Sequence, residues 1–286
     1  MLRLAVATRA ETFERVRDPL SERGIEVRHL RTDERTVPLA EPWPDSFDVG
    51  FVFPPRPMEG GVADALLGIP WVNDREAVLT SRNKAGVLAA LGRAGVPVPE
   101  TTMVSNPAGD AAVEEALSDA AFPVVVKPNS TTRGVGVAKA SDLDSALGVV
   151  DYLNLLHEYP ATGDRSYLIQ EYLPDARDYR AMVVDGECVG AVERRLPDDA
   201  LVEGRWKHNV HRGASATAVD LPRRHRRLAE RTADVLDVPY LGVDLLESGG
   251  RVVVNETNAR PTVDAATKYD PDFYDRLAAL VRRQVD

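Results

Sequence analysis

A run of valines, Arg251-Val-Val-Val254, ends in three polar side chains spaced by two: Glu256, Asn258 and Arg260. A strand leaving a core must turn polar somewhere, and Asn-Ala-Arg-Pro is ordinary loop chemistry, so a plain strand exit is one reading. Geometry supplies a second. In an extended chain, side chains at i, i+2 and i+4 share a face, with neighbours on that face roughly 6.7 Å apart at Cα. A carboxylate, an amide oxygen and a guanidinium on one face suit a magnesium ion carrying a phosphate. Asp244 lies on the preceding strand of the same hairpin, which turns through Ser248-Gly249-Gly250. It joins Glu256 only if paired residue numbers sum to an even value. A three-residue connection has that register, whereas a two-residue turn sends Asp244 to the opposite face unless a bulge intervenes. With the even register Asp244, Glu256 and Asn258 converge, and two Mg²⁺ ions about 3.5–4 Å apart could share Glu256.

The 286 residues, 44% of them hydrophobic, suffice for a substantial core in two or three lobes. No apolar run approaches the roughly 20 residues of a membrane span, and the opening MLRLAVATRA lacks a signal-peptide layout, so a cytoplasmic protein without membrane partners is expected. Cys188 is the sole cysteine, which excludes an intramolecular disulfide and a thiolate zinc site; its strand-like surroundings make it a small buried residue. A net charge of −10 argues against a nucleic-acid partner. Only Lys84, Lys127, Lys139, Lys207 and Lys268 stand among 35 basic residues, so a retained lysine points to a need for a compact ammonium.

Alternating strand and helix patterns open the chain: strands at 2–7 and 25–29 around a helix at 11–21, an apolar run at 48–53, a short helix at 61–67 and a strand at 69–72. No GxGxxG follows the first strand, which weakens a dinucleotide site. A helix over 81–94 is stopped by Gly95 and Val96-Pro-Val-Pro99. The pattern then predicts strands at 101–104, 123–128 and 137–139, with helices at 111–120 and 142–156, and a polar connection at 157–166. Strands at 167–172, 180–184 and 187–194 follow, the last two joined by Asp185-Gly186. A helix over 223–236, whose arginines read as a solvated face, precedes the 242–256 hairpin and a final helix over 272–283. The expected units are 1–75, 76–160 and 161–286, the first α/β and the rest α+β.

Lys127 ends a strand and runs into Asn129-Ser-Thr-Thr-Arg-Gly-Val-Gly136, a way to lay an ammonium and backbone N–H groups around phosphates. Gly134 and Gly136 let the backbone approach closely. GxxxxGK[ST] is absent, so this is no Walker-type loop. His208 and His211 form an HxxH without a helix or an acidic third ligand, a weak metal signal. Arg194 reads either as a surface strand residue or as a cation beside a phosphate site.

The order of these parts resembles the ATP-grasp fold: Lys84, Lys127 before a glycine loop, the strand Gln170-Glu-Tyr-Leu173, then the Asp244…Glu256-Thr-Asn258 hairpin. Within it, Asp178-Tyr-Arg180, Val183-Val-Asp-Gly186, Ala191-Val-Glu-Arg-Arg195, Lys207-His-Asn-Val-His-Arg-Gly213 and Gly242-Val-Asp244 resemble the RimK-type α-L-glutamate ligases and their LysX-like relatives. The likeness runs from about Asn73 to the C-terminus, and residues 1–75 match in kind the Rossmann-like lobe that precedes the ATP-grasp fold. It implies that Lys84, Lys127, Gly134, Gly136, the backbone at Glu171 and Tyr172, Asp178, and Lys207, His208 and Asn209 hold ATP. Asp244, Glu256 and Asn258 would hold two Mg²⁺ ions, with Mn²⁺ as an alternative, and Arg194 and Arg260 would steady the acylphosphate. The implied reaction joins an amino acid, glutamate favoured, to a carboxylate acceptor that is a small molecule or a protein tail. LysX-like ligation to a carrier protein, or a non-catalytic nucleotide-binding regulator, are the alternatives, and relatives commonly self-associate. Arg260 stands where that family has a small residue, and Thr262 where it has glycine.

Overall fold

A computed structural model describes every residue except 9, 107, 119, 133, 157–162, 209, 211–212 and 286. It begins with β1 (Leu2–Val6), α1 (Ala10–Ser21), β2 (Ile25–His29) and β3 (Val49–Phe51), which form a parallel sheet ordered β2-β1-β3. Helix α2 (Pro57–Leu67) starts four residues before the expected Gly61, because Pro57 supplies the fixed φ of a first helical turn. Its Gly60 sits against Phe53, whose Cε1 would lie 2.7 Å from an added Cβ. The strand expected at 69–72 reduces to a single parallel bridge, Gly50 to Trp71. Pro70 has no N–H to extend the ladder.

The single helix expected over 81–94 is two helices, α3 (Arg75–Arg82) and α4 (Lys84–Arg93). Asp74 caps the first by accepting from Ala77 N at 2.8 Å. Asn83 ends it with ψ near 86° and caps the second, its Oδ1 accepting from Gly86 N at 3.1 Å. An asparagine competing for backbone bonds in this way breaks a helix that periodicity alone would run through. The break sets Lys84 at the first position of α4, buried and pointing inward.

A second sheet, all antiparallel, takes β4 (Thr101–Ser105), β5 (Val124–Pro128), β6 (Ala138–Ala140) and β7 (Ser166–Glu171) in the order β4-β7-β5-β6. Helices α5 (Asp110–Leu117) and α6 (Leu143–Leu156) cover one face. Asp142 caps α6 by accepting from Ser145 N at 2.8 Å, while Ser145 Oγ accepts from Asp142 N at 3.1 Å. Most of the polar connection expected after it, 157–162, lies outside the described residues.

The third sheet orders β10-β9-β8-β11-β12, built from β8 (Arg177–Val184), β9 (Glu187–Arg195), β10 (Ser215–Ala218), β11 (Tyr240–Ser248) and β12 (Arg251–Asn258). Asp185 and Gly186, both at positive φ, make the predicted β8–β9 turn. Helix α7 (Asp198–Val202) and strand β10, five and four residues long, are too short to leave a periodic signal. Helices α8 (Arg223–Leu236) and α9 (Phe273–Arg283) pack behind the sheet. Ion pairs from Arg224 to Glu247 and from Arg226 to Asp270 occupy two of the α8 arginines.

The β11–β12 hairpin decides the site. Its connection is the two-residue turn Gly249-Gly250, with Ser248 paired to Arg251, and not the three-residue form. Pairs from Ser248 to Leu245 sum to an odd number, which alone would turn Asp244 away from Glu256. Between Leu245–Val254 and Asp244–Glu256 the register shifts by one residue, Asn255. That bulge restores the even register, so Asp244 lies opposite Glu256.

One apolar core joins the first and third sheets, from Leu4 and Phe51 through Tyr240 and Leu241 to Val281. The second sheet has its own core around Val126, Val150, Tyr167 and Ile169. Two separately packed bodies therefore face each other across one cleft.

Candidate active site

The cleft encloses about 2070 Å³ and is bounded by all three sheets. Lys84 and Lys127 enter it from different bodies. Lys84 Nζ donates to Asn129 O at 3.1 Å and to Thr131 O, and stands 3.5 Å from Glu256 Oε1. Lys127, on β5, donates to Gln170 Oε1 at 3.0 Å and to Asn255 Oδ1 at 3.4 Å. The two successive residues of the bulge thus each meet a different lysine. Burial pushes Lys127 down to about 8; Glu256 opposes that fall and Lys84 adds to it.

The glycine loop hangs between β5 and β6, its root tied to α4 by Asn129. That side chain accepts from Ala85 N at 2.8 Å and donates to Asn83 Oδ1 at 2.9 Å. Gly134 and Gly136 have φ of 66° and 74°. At Gly136 a Cβ would lie 2.7 Å from Pro128 Cγ, so glycine is required for both backbone and space.

On the cleft face of the third sheet, four charges form a row of cross-strand neighbours. Asp178 pairs with Arg194 across β8–β9, and Arg180 with Asp244 across β8–β11. Arg194 donates to Asp178 Oδ1 through Nε at 3.0 Å and Nη2 at 2.5 Å, and its Nη2 is 3.0 Å from Asp244 Oδ2. Arg180 grips both oxygens of Asp244 at 2.6 and 2.8 Å. Burial pushes both carboxyls up. At Asp244 the guanidiniums of Arg180 and Arg194 outweigh burial and hold it well below the usual range, while Asp178, beside the Asp244 charge, stays raised. Asp244 and Asp178 likewise drive Arg194 up against its own burial.

Among the described residues no group of three or more His, Cys, Asp and Glu side chains could hold a metal ion unaided. The expected set is mixed: Asp244, Glu256 and the amide oxygen of Asn258, which here accepts from Arg260 N at 2.8 Å. An ionised carboxylate has about four acceptor positions. Three close guanidinium contacts engage Asp244, leaving room for a further partner, and Glu256 is half-buried with Lys84 as its ion-pair partner. Hard oxygens with spare acceptor capacity fit a divalent cation.

At the other end of the cleft Tyr172 and Trp206 meet edge to face, 5.8 Å between centroids. Lys139 Nζ lies 4.8 Å from the Tyr172 ring and Lys207 Nζ 5.5 Å from Trp206, while Lys207 also donates to Val137 O beside the glycine loop. Glu171 N donates to Glu100 O at 2.9 Å, and its carboxylate pairs with Arg251 at 2.8 Å. His208 Nδ1 is 3.0 Å from Arg194 O, which sets the ring against the C-terminal end of β9, and burial lowers its pKa. Asn209 and His211 fall outside the described residues. Arg260 donates to Ala7 O at 3.2 Å, reaching the end of β1 in the first sheet. Sequence reasoning gave no role to Trp206, Gln170, Asn255 and Arg180, and marked Lys139 only as one of the scarce lysines. Trp206 beside a scarce lysine, and Arg180 two residues after Asp178, were the legible signals; Gln170 and Asn255 resemble any strand polar residue.

A small antiparallel sheet with a glycine loop, closing on a larger sheet that carries the acidic hairpin, defines an ATP-grasp architecture. Residues 81–274 match the model of the RimK-like ATP-grasp domain. The chain is 31% identical over 222 residues to a probable alpha-L-glutamate ligase of Klebsiella pneumoniae (strain 342), covering 77% of this chain and 69% of that one. It is 30% identical over 205 residues to the ribosomal protein bS6--L-glutamate ligase of Escherichia coli O139:H28 (strain E24377A / ETEC), covering 71% of this chain and 64% of the relative. The chain thus spans about two thirds of the length of these relatives. The fold also matches the solved structure of the ATP-grasp ligase PsnB complexed with minimal precursor, Mg and ADP, at TM-score 0.68, 17% identity, and coverage of 99% of this chain and 98% of that one. This chain belongs to the RimK-like ATP-grasp family, whose named members are carbon–nitrogen ligases that use ATP. No helix among the described residues is long and apolar enough to cross a membrane.

Proposed function

We propose that this chain is an ADP-forming carboxylate–amine ligase that adds an amino acid, glutamate favoured, to a carboxylate acceptor. The observation that carries the reading is the convergence of Lys84 and Lys127, from separately packed bodies, on the two residues of the β12 bulge. Two ammonium groups, a carboxylate and an amide so arranged suit a polyphosphate and its counter-ions, and the names of the curated relatives support glutamate as the amino acid.

In this reading Lys84 and Lys127 bind ATP phosphates and exchange their present carbonyl and amide partners for phosphate oxygens. Tyr172, Trp206, Lys139 and Lys207 clasp the base, Asp178 accepts from ribose hydroxyls, and Lys207 to Asn209 continue along the phosphates. Asp244, Glu256 and Asn258 would hold magnesium, one or two ions, which when bound screens phosphate charge and polarises the transferring group. An acceptor carboxylate oxygen attacks the γ-phosphorus, the bond to the β-phosphate oxygen breaks, and ADP leaves. The α-amine then attacks the acyl carbon, phosphate departs, and the amine loses a proton as the amide forms. Arg194, held by Asp178 and Asp244, is aimed to steady developing negative charge without reorganising. Closure of the glycine loop keeps water from the acylphosphate.

The test is ADP release with MgATP and a panel of free amino acids in high-potassium buffer, with and without cell extract as the source of acceptor, using Glu256→Ala as control. Amino-acid-dependent ADP that disappears in the variant supports the ligase. Turnover that no amino acid stimulates under either condition removes it.

A further inference from the structure

Arg260 differs from the other site cations in what surrounds it. Arg194 and Arg180 pair with carboxylates, Lys84 meets two carbonyl oxygens and the Glu256 carboxylate, and Lys127 meets two amide oxygens. Arg260 is largely buried, yet no carboxylate pairs with it among the described residues, and its Nη1 is buried without a hydrogen-bond partner. Among the described residues its side chain donates from Nη2 to Ala7 O, and a neighbouring charge that acts on it is another cation, Arg82. Nearby Asp264 is taken by Lys268 at 2.7 Å and Arg15 at 3.5 Å. A buried guanidinium with an idle N–H and no counter-charge is costly to maintain, and an arriving anion removes that cost.

Its placement selects the anion. The side chain reaches the end of β1 in the parallel sheet, where open α/β folds bind ligands. A planar fork suits a carboxylate held by two parallel bonds. Arg260 is two residues beyond Asn258, whose side-chain oxygen accepts from the Arg260 N–H at 2.8 Å, and it lines the same cleft as Asp244 and Glu256. A carboxylate bound there sets an α-amine, one carbon away, on the side of Asp244 and Glu256.

We propose that Arg260, with Arg82 beside it, binds the non-reacting α-carboxylate of the incoming amino acid and so orients its amine. This deepens the ligase reading and rests on it; it replaces the acylphosphate role that the sequence assigned to Arg260.

The test compares binding of L-glutamate and its α-amide, isoglutamine, to the MgADP-loaded protein by calorimetry, in wild type, Arg260→Gln and Arg260→Lys, each checked for folding by circular dichroism. Other amino acids and their α-amides are run as matched pairs. Wild type should prefer the acid by roughly 10- to 100-fold, from charge-assisted bonds. Arg260→Gln should bring acid and amide within about threefold, and Arg260→Lys should fall between. If Arg260→Gln does not fold, the Arg260→Lys narrowing decides alone. A wild type that treats acid and amide alike in every pair, or variants that keep the wild-type ratio, overturn the assignment. Failure of the ligase reading would show separately, as wild-type protein whose ADP release from MgATP no amino acid stimulates, with or without cell extract.

Discussion

Raising the pH from 7 to 9 should weaken MgADP binding about tenfold through one buried lysine. Lys127 is pushed from 10.5 to about 8 by burial. That gap corresponds to a cost of about 3 kcal/mol for keeping the ammonium charged, at about 1.4 kcal/mol per pH unit. At pH 7 roughly nine in ten molecules carry the proton and at pH 9 roughly one in ten, from the value of about 8. The nucleotide's phosphates stay ionised across this range, so an affinity that needs the ammonium falls in proportion. Calorimetry in buffers of different ionisation enthalpy would also show proton uptake on binding above pH 8. Lys127→Arg, whose guanidinium holds its proton at every accessible pH, should flatten the profile. The same depression has the opposite consequence for folding. The unfolded chain holds this proton up to about 10.5, so the lysine's contribution to stability is complete above that pH and is lost as pH falls through about 8. A wild-type affinity independent of pH, or a Lys127→Arg variant with the wild-type slope, would refute the reasoning.

Three further outcomes follow from the packing. Arg194→Met strips Asp178 of its guanidinium and should cost about 3–5 kcal/mol in urea unfolding, with Asp178→Asn restoring part of the loss in the double variant; additive effects would show that the pair is not coupled. Gly190→Ala places a Cβ 2.6 Å from Lys268 O at a φ of 152°, and should lower stability by about 1–3 kcal/mol, read as a fall in the thermal midpoint; an unchanged midpoint would contradict that contact. Trp206→Ala should raise the MgADP dissociation constant roughly tenfold, as loss of one stacking partner would, whereas unchanged affinity would place the base elsewhere.

Much of this molecule is written locally. The α8 helix occupies its predicted residues because its periodicity is strong, and Asp185-Gly186 makes its turn because both residues tolerate positive φ. Lys84, Lys127 and Glu256 stood out as candidates because scarce lysines and period-two polar residues are conspicuous in a lysine-poor, apolar background, whereas Asp178 came only from the family resemblance. The order of those parts along the chain also pointed to the ATP-grasp fold, which the family match shows.

Other features depend on groups distant in the chain. Asn83 divides a helix because its side chain answers both to Gly86 and, 46 residues away, to Asn129. The two-glycine turn set β12 out of phase with Asp244, and the bulge at Asn255 brought it back. A bulge has no sequence signature of its own: it forms where pairing on both sides demands different registers. That Arg260 reaches Ala7 O at the end of β1 likewise depends on a residue 253 positions away. Periodicity reports which face a residue shares with its near neighbours, and the sequence alone determined that much. What lies opposite that face is decided by packing between sheets, so only the tertiary structure could place Asp244 beside Arg180 and leave Arg260 without a carboxylate partner among the described residues.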